Sequence, residues 1–421
     1  MDNLTARSHP LRASLSEEMH VRRLPRMSAP CRLLQVVTVL GETAASEARA
    51  HIEPIALKRG MNLPPHAKYA VIDLGSMTLV WERHTEFASY TLILHGPFGE
   101  PFATDTFDPL SSEIFANMPG EVIRATQIAL YPLGTPVPDR ATRDEWFDDE
   151  ALILCEILQG KALMMSDFRL HADGFGRLLV IDQGLARDEA AQLMARLQEL
   201  GNYRNMALLG LPLAQRLSPD VSRLERRLAA LTHAVSERVS RDDQLLDELT
   251  FLSAELARLI AETRYRMSAT RAYSQISTER LHSLSVGAMT GYQTLADFTE
   301  RRLMPAVRTC ISFSDRLDDL SQRAAWTSAL LRTRIDTALA MQNRDLLTSM
   351  NKRTQLQLRL QQTVEGLSVV AISYYLVALI GYVLGMIPGV RHDIAMGASV
   401  PVVLLVVWLL VRRLRRHFIE D

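Results

Sequence analysis

Between Cys31 and Asp182 the apolar positions come in short β-rich runs, each cut off by glycine or proline. Cys31–Leu40 (CRLLQVVTVL), Tyr69–Leu74, Thr78–His84, Ser89–His95, Glu121–Tyr131, Ala151–Leu158, Ala162–His171 and Arg177–Asp182 read as strands. Helical spacing shows near Glu42–Arg59 and in the short Ser111–Asn117 interval. Strands this close, with few crossovers, predict an α+β domain: a mostly antiparallel sheet with flanking helices.

From Ala186 the strand signal stops. Helices are expected over Asp188–Leu200 and Tyr203–Leu217, and Ser218-Pro219-Asp220 reads as an N-cap with proline at the first helical position. Leu245, Leu249, Leu252, Leu256 and Leu259 recur at 4-3-4-3 spacing, the seam of a coiled coil. Beyond Pro305 the seam loosens to Val307, Cys310, Leu317, Leu320, Leu331, Ile335, Leu339 and Leu346. The only weak point before the apolar C-terminal region is Gly366, and one glycine costs a helix about 1 kcal/mol. A helix from Ala306 through the first apolar run would be on the order of 120 Å long. The expectation is a long antiparallel helical stalk; a compact bundle broken at Gly366 is the alternative.

Leu367–Ile387 and Ile394–Val411 carry no formal charge and are joined by a short connection, PGVRHD. Each is long enough to cross a hydrocarbon core of ~30 Å as a helix, so the pair reads as a transmembrane hairpin. Lys352, Arg353 and Arg359 precede the first span, and Arg412, Arg413, Arg415 and Arg416 follow the second. That bias predicts both termini on the cytoplasmic side. Small residues at Gly381, Gly385 and Gly397 would let helix backbones approach, within the hairpin or between copies. The expected organisation is a lead-in segment (residues 1–30), a cytosolic α+β domain (31–185), a helical stalk (186–366), the hairpin (367–387 and 394–411) and a basic tail (412–421).

Charge and cysteine content narrow the classes. A formal net charge of −1 argues against a dedicated nucleic-acid binder. Cys31, Cys155 and Cys310 are far apart and follow no ligand spacing, which disfavours disulfides and a structural zinc. No apolar run near the N-terminus resembles a secretory signal.

Three places offer chemistry. Glu82, His84 and Glu86 alternate in WERHTEF, as do Asp167, Arg169, His171 and Asp173 in DFRLHADGF. On two neighbouring strands they would form one polar patch, able to bind a divalent metal or to act in acid–base catalysis. The same alternation marks any half-exposed antiparallel strand. The segment of residues 9–25 would either dock on this patch or form an exposed amphipathic helix. At the membrane, Glu365 and Asp393 would become acidic rings in a symmetric oligomer, or remain interface residues in a simple anchor.

HPLR near the start, WERHTEF, DFRLHADGF, NYRNMALLGLP and LQLRLQQTVEGLSVVAISYY resemble the bacterial membrane-anchored proteins of domain-of-unknown-function family 3422. The resemblance covers nearly the whole chain and implies an inner-membrane protein with no assigned activity. The layout also resembles CorA-type magnesium channels. Their Gly-Met-Asn signature is replaced here by Gly385-Met386-Ile387-Pro388, and Arg391 in the loop disfavours cations. The sequence thus favours a non-enzymatic scaffold or sensor, homo-oligomeric at the lipid bilayer, with no cofactor and with its ligand unidentified. A CorA-like ion pathway and a membrane-tethered metal protein or hydrolase using His84 and His171 stand as alternatives.

Overall fold

The computed structural model describes residues 8–12, 15–16, 24–41, 44–103, 107–237, 241–384 and 392–417. Most of the N-terminal segment, Gly385 and the Gly-Met-Ile-Pro stretch therefore lie outside the described residues. The chain forms two compact units: residues 1–239 with 243–325, and residues 326–421 with 240–242.

The first unit is built on a nine-stranded sheet. Its strands are β1 (Cys31–Val39), β2 (Tyr69–Asp73), β3 (Met77–Arg83), β4 (Phe87–His95), β5 (Glu121–Tyr131), β6 (Ile153–Ile157), β7 (Ala162–Ser166), β8 (Gly176–Asp182) and β9 (Gly287–Ala288). Their order is β2-β3-β4-β1-β5-β8-β7-β6-β9. Every neighbouring pair is antiparallel except β5 with β8.

Strand β1 is buried along almost its whole length, because helices cover both faces of the sheet. On one face Leu34, Ile72, Trp81 and Leu92 pack against Ala48, Ile52 and Ala56 of α1 (Ala44–Lys58). On the other, Leu33, Ile128 and Val180 meet Leu193, Leu197 and Leu200 of helix Glu189–Leu208. Two shorter helices follow the chain order before it: α2 (Asp108–Phe115) and α3 (Arg140–Trp146), so Glu189–Leu208 is α4. Helix α3 starts where the Thr142 N–H donates to the Asp139 carboxylate.

The remaining helices are α5 (Gly210–Glu237), α6 (Asp242–Ser283), α7 (Leu295–Leu384) and α8 (His392–His417). Within the first unit, Arg223 pairs with Glu255 and Arg216 with Glu262, which fixes α5 and α6 as antiparallel neighbours. Arg316 of α7 makes a two-pronged bond to Glu225, with a third contact to Ser222, and so joins α7 to α5. The buried positions alternate at three and four residues: Ala214, Leu217, Val221, Leu224, Leu228, Leu231 and Val235 on α5. On α7 the series is Leu303, Ala306, Cys310, Phe313, Leu317, Leu320 and Ala324. The seam that looks loose in the sequence is regular, because alanine and phenylalanine fill its missing places.

Three helix boundaries differ from expectation. Helix α5 continues through Pro219 rather than starting there, and the Ser218 hydroxyl donates back to the Ala214 carbonyl instead of capping. Helix α4 runs on through Gly201 to Leu208. Helix α7 begins at Leu295, ahead of Pro305, because Thr294 and Asp297 cap each other's N–H groups. It passes Gly366 without a break.

At Gly210 the bundle closes tightly: a Cβ there would run into the Thr270 hydroxyl and lie 3.3 Å from Cys310 Sγ. All three thiols are free and buried. Burial pushes Cys31 up to about 12 and Cys155 up to about 11, and moves Cys310 in the same direction.

In the second unit α7 and α8 each hold a stretch long and apolar enough to cross a membrane, and only 6% and 11% of those stretches is buried. The two helices touch where a Cβ at Gly381 would lie 3.2 Å from Met396 Sδ. Nothing lies within 4 Å of the same position at Gly397.

Candidate functional site

The fold does not bring the two halves of the predicted polar patch together. Glu82 and His84 sit at the end of β3 and Glu86 in the turn to β4, whereas DFRLHADGF connects β7 to β8. Strands β4, β1 and β5 lie between β3 and β8. Four strand spacings amount to roughly 19 Å, far beyond two imidazoles sharing one metal. Among the described residues no group of three or more His, Cys, Asp or Glu is placed to hold a metal.

Nor is DFRLHADGF a strand. Strand β7 ends at Ser166, and the Asp167 carboxylate accepts from the N–H groups of Arg169 and Asp148. Phe168 takes a positive φ of 50°. The side-chain alternation that an extended chain would give is lost in this turn.

The individual residues hold the head together. Asp167 is buried and lies 3.0 Å from His171 Nε2. Arg169 is paired with Asp148, and Asp173 with Arg177. His84 stacks on Phe87 with ring centroids 4.1 Å apart and lies 3.8 Å from Glu82. Glu86 is buried against Arg266 of α6 at 2.9 Å and ties the β3–β4 turn to the helices. Glu365 is a half-buried member of α7. Asp393 falls in the first turn of α8, and its side chain lies outside the described residues.

What the sheet does build is a cavity of about 420 Å³. Strand β8 begins opposite Thr126, so residues 121–125 of β5 have β1 on one side and, among the described residues, no strand on the other. The gap is walled by the DFRLHADGF loop, by α4 and by Leu295 at the start of α7. The register of β1 against β5 slips by one residue between Val37–Arg124 and Thr38–Val122, leaving Ile123 as a bulge. A bulge bends the strand and re-aims the adjacent side chain. Here that side chain is Arg124.

Arg124 crosses α4 at Gly201, where a Cβ would lie 2.7 Å from the guanidinium carbon. A glycine inside a helix is costly; here it clears the way for an arginine. Arg124 Nη1 donates to Gln35 and to Asn202 Oδ1, the latter at 3.1 Å. Asn205 Nδ2 donates to the bulge carbonyl of Ile123 at 3.3 Å. Between them, Arg204 stands 4.5 Å over the Phe168 ring, which is stacked on Phe298 of α7. Four consecutive residues of α4, Asn202–Asn205, thus contribute three side chains to this corner.

Among the described residues four arginines line the cavity, and no Asp or Glu does. Arg169 and Arg177 are neutralised by Asp148 and Asp173. Arg124 and Arg204 pair with no carboxylate among the described residues. Desolvation, with the neighbouring Arg204 charge, lowers Arg124 to about 9; desolvation lowers Arg204 to about 10. Both remain cationic at neutral pH. Their surroundings are apolar, with Leu170, Leu197, Leu200 and Leu295 on the walls. Such a chamber suits an anion with an apolar body.

A second cavity, of about 370 Å³, is lined by Lys68, Arg83, His84, Thr85, Tyr203, Tyr273 and Ile276. WERHTEF faces this one, through Arg83, His84 and Thr85. Sequence reasoning singled out Arg169 but missed Arg124 and Arg204. The available signals were an arginine inside an otherwise strand-like run (EVIRATQIALY) and a glycine inside a helical one (LQELGNYRNM).

Comparison with known proteins gives the chain its family. Residues 7–418 match the family described as protein of unknown function (DUF3422), and the chain belongs to that family. No curated protein matches it in sequence. Among solved structures, the CorA magnesium transporter from Methanocaldococcus jannaschii is similar at 10% identity, over 70% of this chain and 91% of that one. The TM-score is 0.14, too slight a likeness to bear on the function of this chain.

Proposed function

We propose that this member of the family is a membrane-anchored sensor or scaffold, held at the cytoplasmic face of a bacterial inner membrane by the hairpin of α7 and α8. The carrying observation is the pair of strongly apolar helical stretches of which only 6% and 11% is buried in the chain itself. Water does not tolerate that much exposed apolar helix, whereas lipid does. Basic residues before the first stretch and after the second favour cytoplasmic termini.

The same reading assigns a homo-oligomer, formed as a coiled coil, to the part of α7 ahead of the membrane. Leu339, Asn343, Leu346, Met350, Arg353, Gln357, Leu360 and Val364 continue a four-three spacing, and its apolar members are exposed. A seam broken by polar residues is how paired helices fix register at a cost in strength.

The test is alkaline carbonate extraction of membranes containing the full chain, with reporters fused to each terminus. Retention in the pellet with both reporters cytoplasmic is expected. Release of the intact protein into the supernatant would remove the anchor and with it this reading.

A further inference from the structure

We propose that the cavity between β5, β8 and α4 binds a phosphate monoester, its dianionic head on Arg124 and Arg204 and its apolar body against Leu170, Leu197 and Leu200. The proposal rests on the sensor reading of the head and names what the head would sense.

Charge comes first. Two guanidinium groups stand together in a chamber whose lining has no carboxylate among the described residues, while the two other arginines of the lining already have acidic partners. Arg124 and Arg204 are half-buried, and a cation partly withdrawn from water without an acidic partner incurs a desolvation cost that a bound anion would relieve. A phosphate monoester carries about −1.5 to −2 at neutral pH and answers two cations; a carboxylate leaves one over.

Donor geometry agrees. Both bonds of Arg124 to protein are made by Nη1, so Nε and Nη2 have no acceptor among the described residues. Arg204 has ring contacts to Phe168 and Phe298, and no hydrogen-bond acceptor among the described residues. A planar fork of free N–H groups is the arrangement that grips phosphate oxygens in pairs. Gln35, Asn202 and Gly201 hold Arg124 in place before any ligand arrives.

Size and wall chemistry set the rest of the ligand. About 420 Å³ exceeds what a bare phosphate fills, and leucines line the remainder. Occupancy also has a route out of the cavity. Arg204 lies on Phe168, Phe168 is stacked 4.8 Å from Phe298, and Phe298 belongs to the first turns of α7.

The experiment is calorimetric titration of the full-length protein in detergent with phenyl phosphate, inorganic phosphate, benzoate and dihexanoyl phosphatidic acid. Saturable binding is expected, strongest for a phosphate joined to an apolar group. The comparison of phenyl phosphate with the lipid separates a soluble source from a membrane one. Arg124→Gln and Arg204→Gln should each weaken binding by about tenfold to hundredfold, the loss expected for a charged hydrogen-bonding partner. Arg204→Lys keeps the charge but not the fork, and should fall between Arg204→Gln and the wild type. Should the glutamine variants not fold, the lysine variant carries the test alone. Absence of saturable binding to the folded wild type, or equal binding by a folded variant, overturns the proposal. Carbonate extraction of the same preparations scores the membrane anchor separately, so either reading can fail without the other.

Discussion

One helix, α7, shows two fates for the same kind of residue. Its N-terminal part buries Leu303, Phe313, Leu317 and Leu320 at a regular spacing, where Arg316 also joins it to α5. Further along, Leu339, Leu346, Met350 and Leu360 are all more than half exposed. The residue types are alike; what differs is whether other helices of the chain lie alongside. Apolar spacing specifies a face, and the partner for that face is a separate fact.

The sharpest way to break this comparison is to make one substitution in both places. Leu320→Ala, at a fully buried site, should cost about 2–5 kcal/mol and lower the melting temperature clearly. Leu346→Ala, at a residue 55% exposed within one chain, should cost clearly more than about 0.5 kcal/mol where the proposed coiled coil covers it, and stay within about 0.5 kcal/mol where the helix stands uncovered. Thermal melts at two protein concentrations decide the matter. A large, concentration-dependent loss at Leu346 would show a second copy covering the face.

A smaller effect is expected in the apolar hairpin. Gly381→Leu forces Met396 aside and should destabilise the helix pair by about 1–3 kcal/mol, while Gly397→Leu meets open space and should be near neutral. Denaturant titration of the purified protein, followed by proteolysis between the helices, would read the difference. Equal effects at both glycines would mean that a contact between copies dominates.

The smallest effect concerns the surface of the buried stretch. Arg316 holds the Glu225 carboxyl below its usual range through their two-pronged bond. A carboxylate with a lowered folded value stabilises above its unfolded value and loses that contribution as pH falls through the folded one. Both groups are about a third exposed, so Glu225→Gln should cost under about 1 kcal/mol near neutrality. The gap between variant and wild type should close as the pH drops below about 4.5, the ordinary glutamate value, and a gap that persists there would assign the effect to packing.

Much of this architecture is legible in the chain. The eight long strands fall within a few residues of the apolar runs, since β-branched clusters ended by glycine and proline have few other uses. The leucine series on α6 declares itself in the same way. The candidate site does not. DFRLHADGF alternates like a strand, yet the Asp167 side chain captures two backbone N–H groups and bends it into a loop. Arg124 and Arg204 are 80 residues apart, and only the pairing of β5 with β8 and the packing of α4 bring them to one chamber. Local pattern reports local structure; a site assembled across the fold leaves only faint traces, such as Gly201.

The three cysteines have a practical consequence. A buried thiol held in its protonated form is a poor nucleophile, since the thiolate is the reacting species. Cys31 and Cys155 are held there most firmly, and all three side chains are enclosed. The native protein is therefore a quiet background for maleimide chemistry. One cysteine introduced at an exposed position, for instance in place of Leu170 beside the cavity, would carry a dye or spin label as the sole accessible attachment point among the described residues.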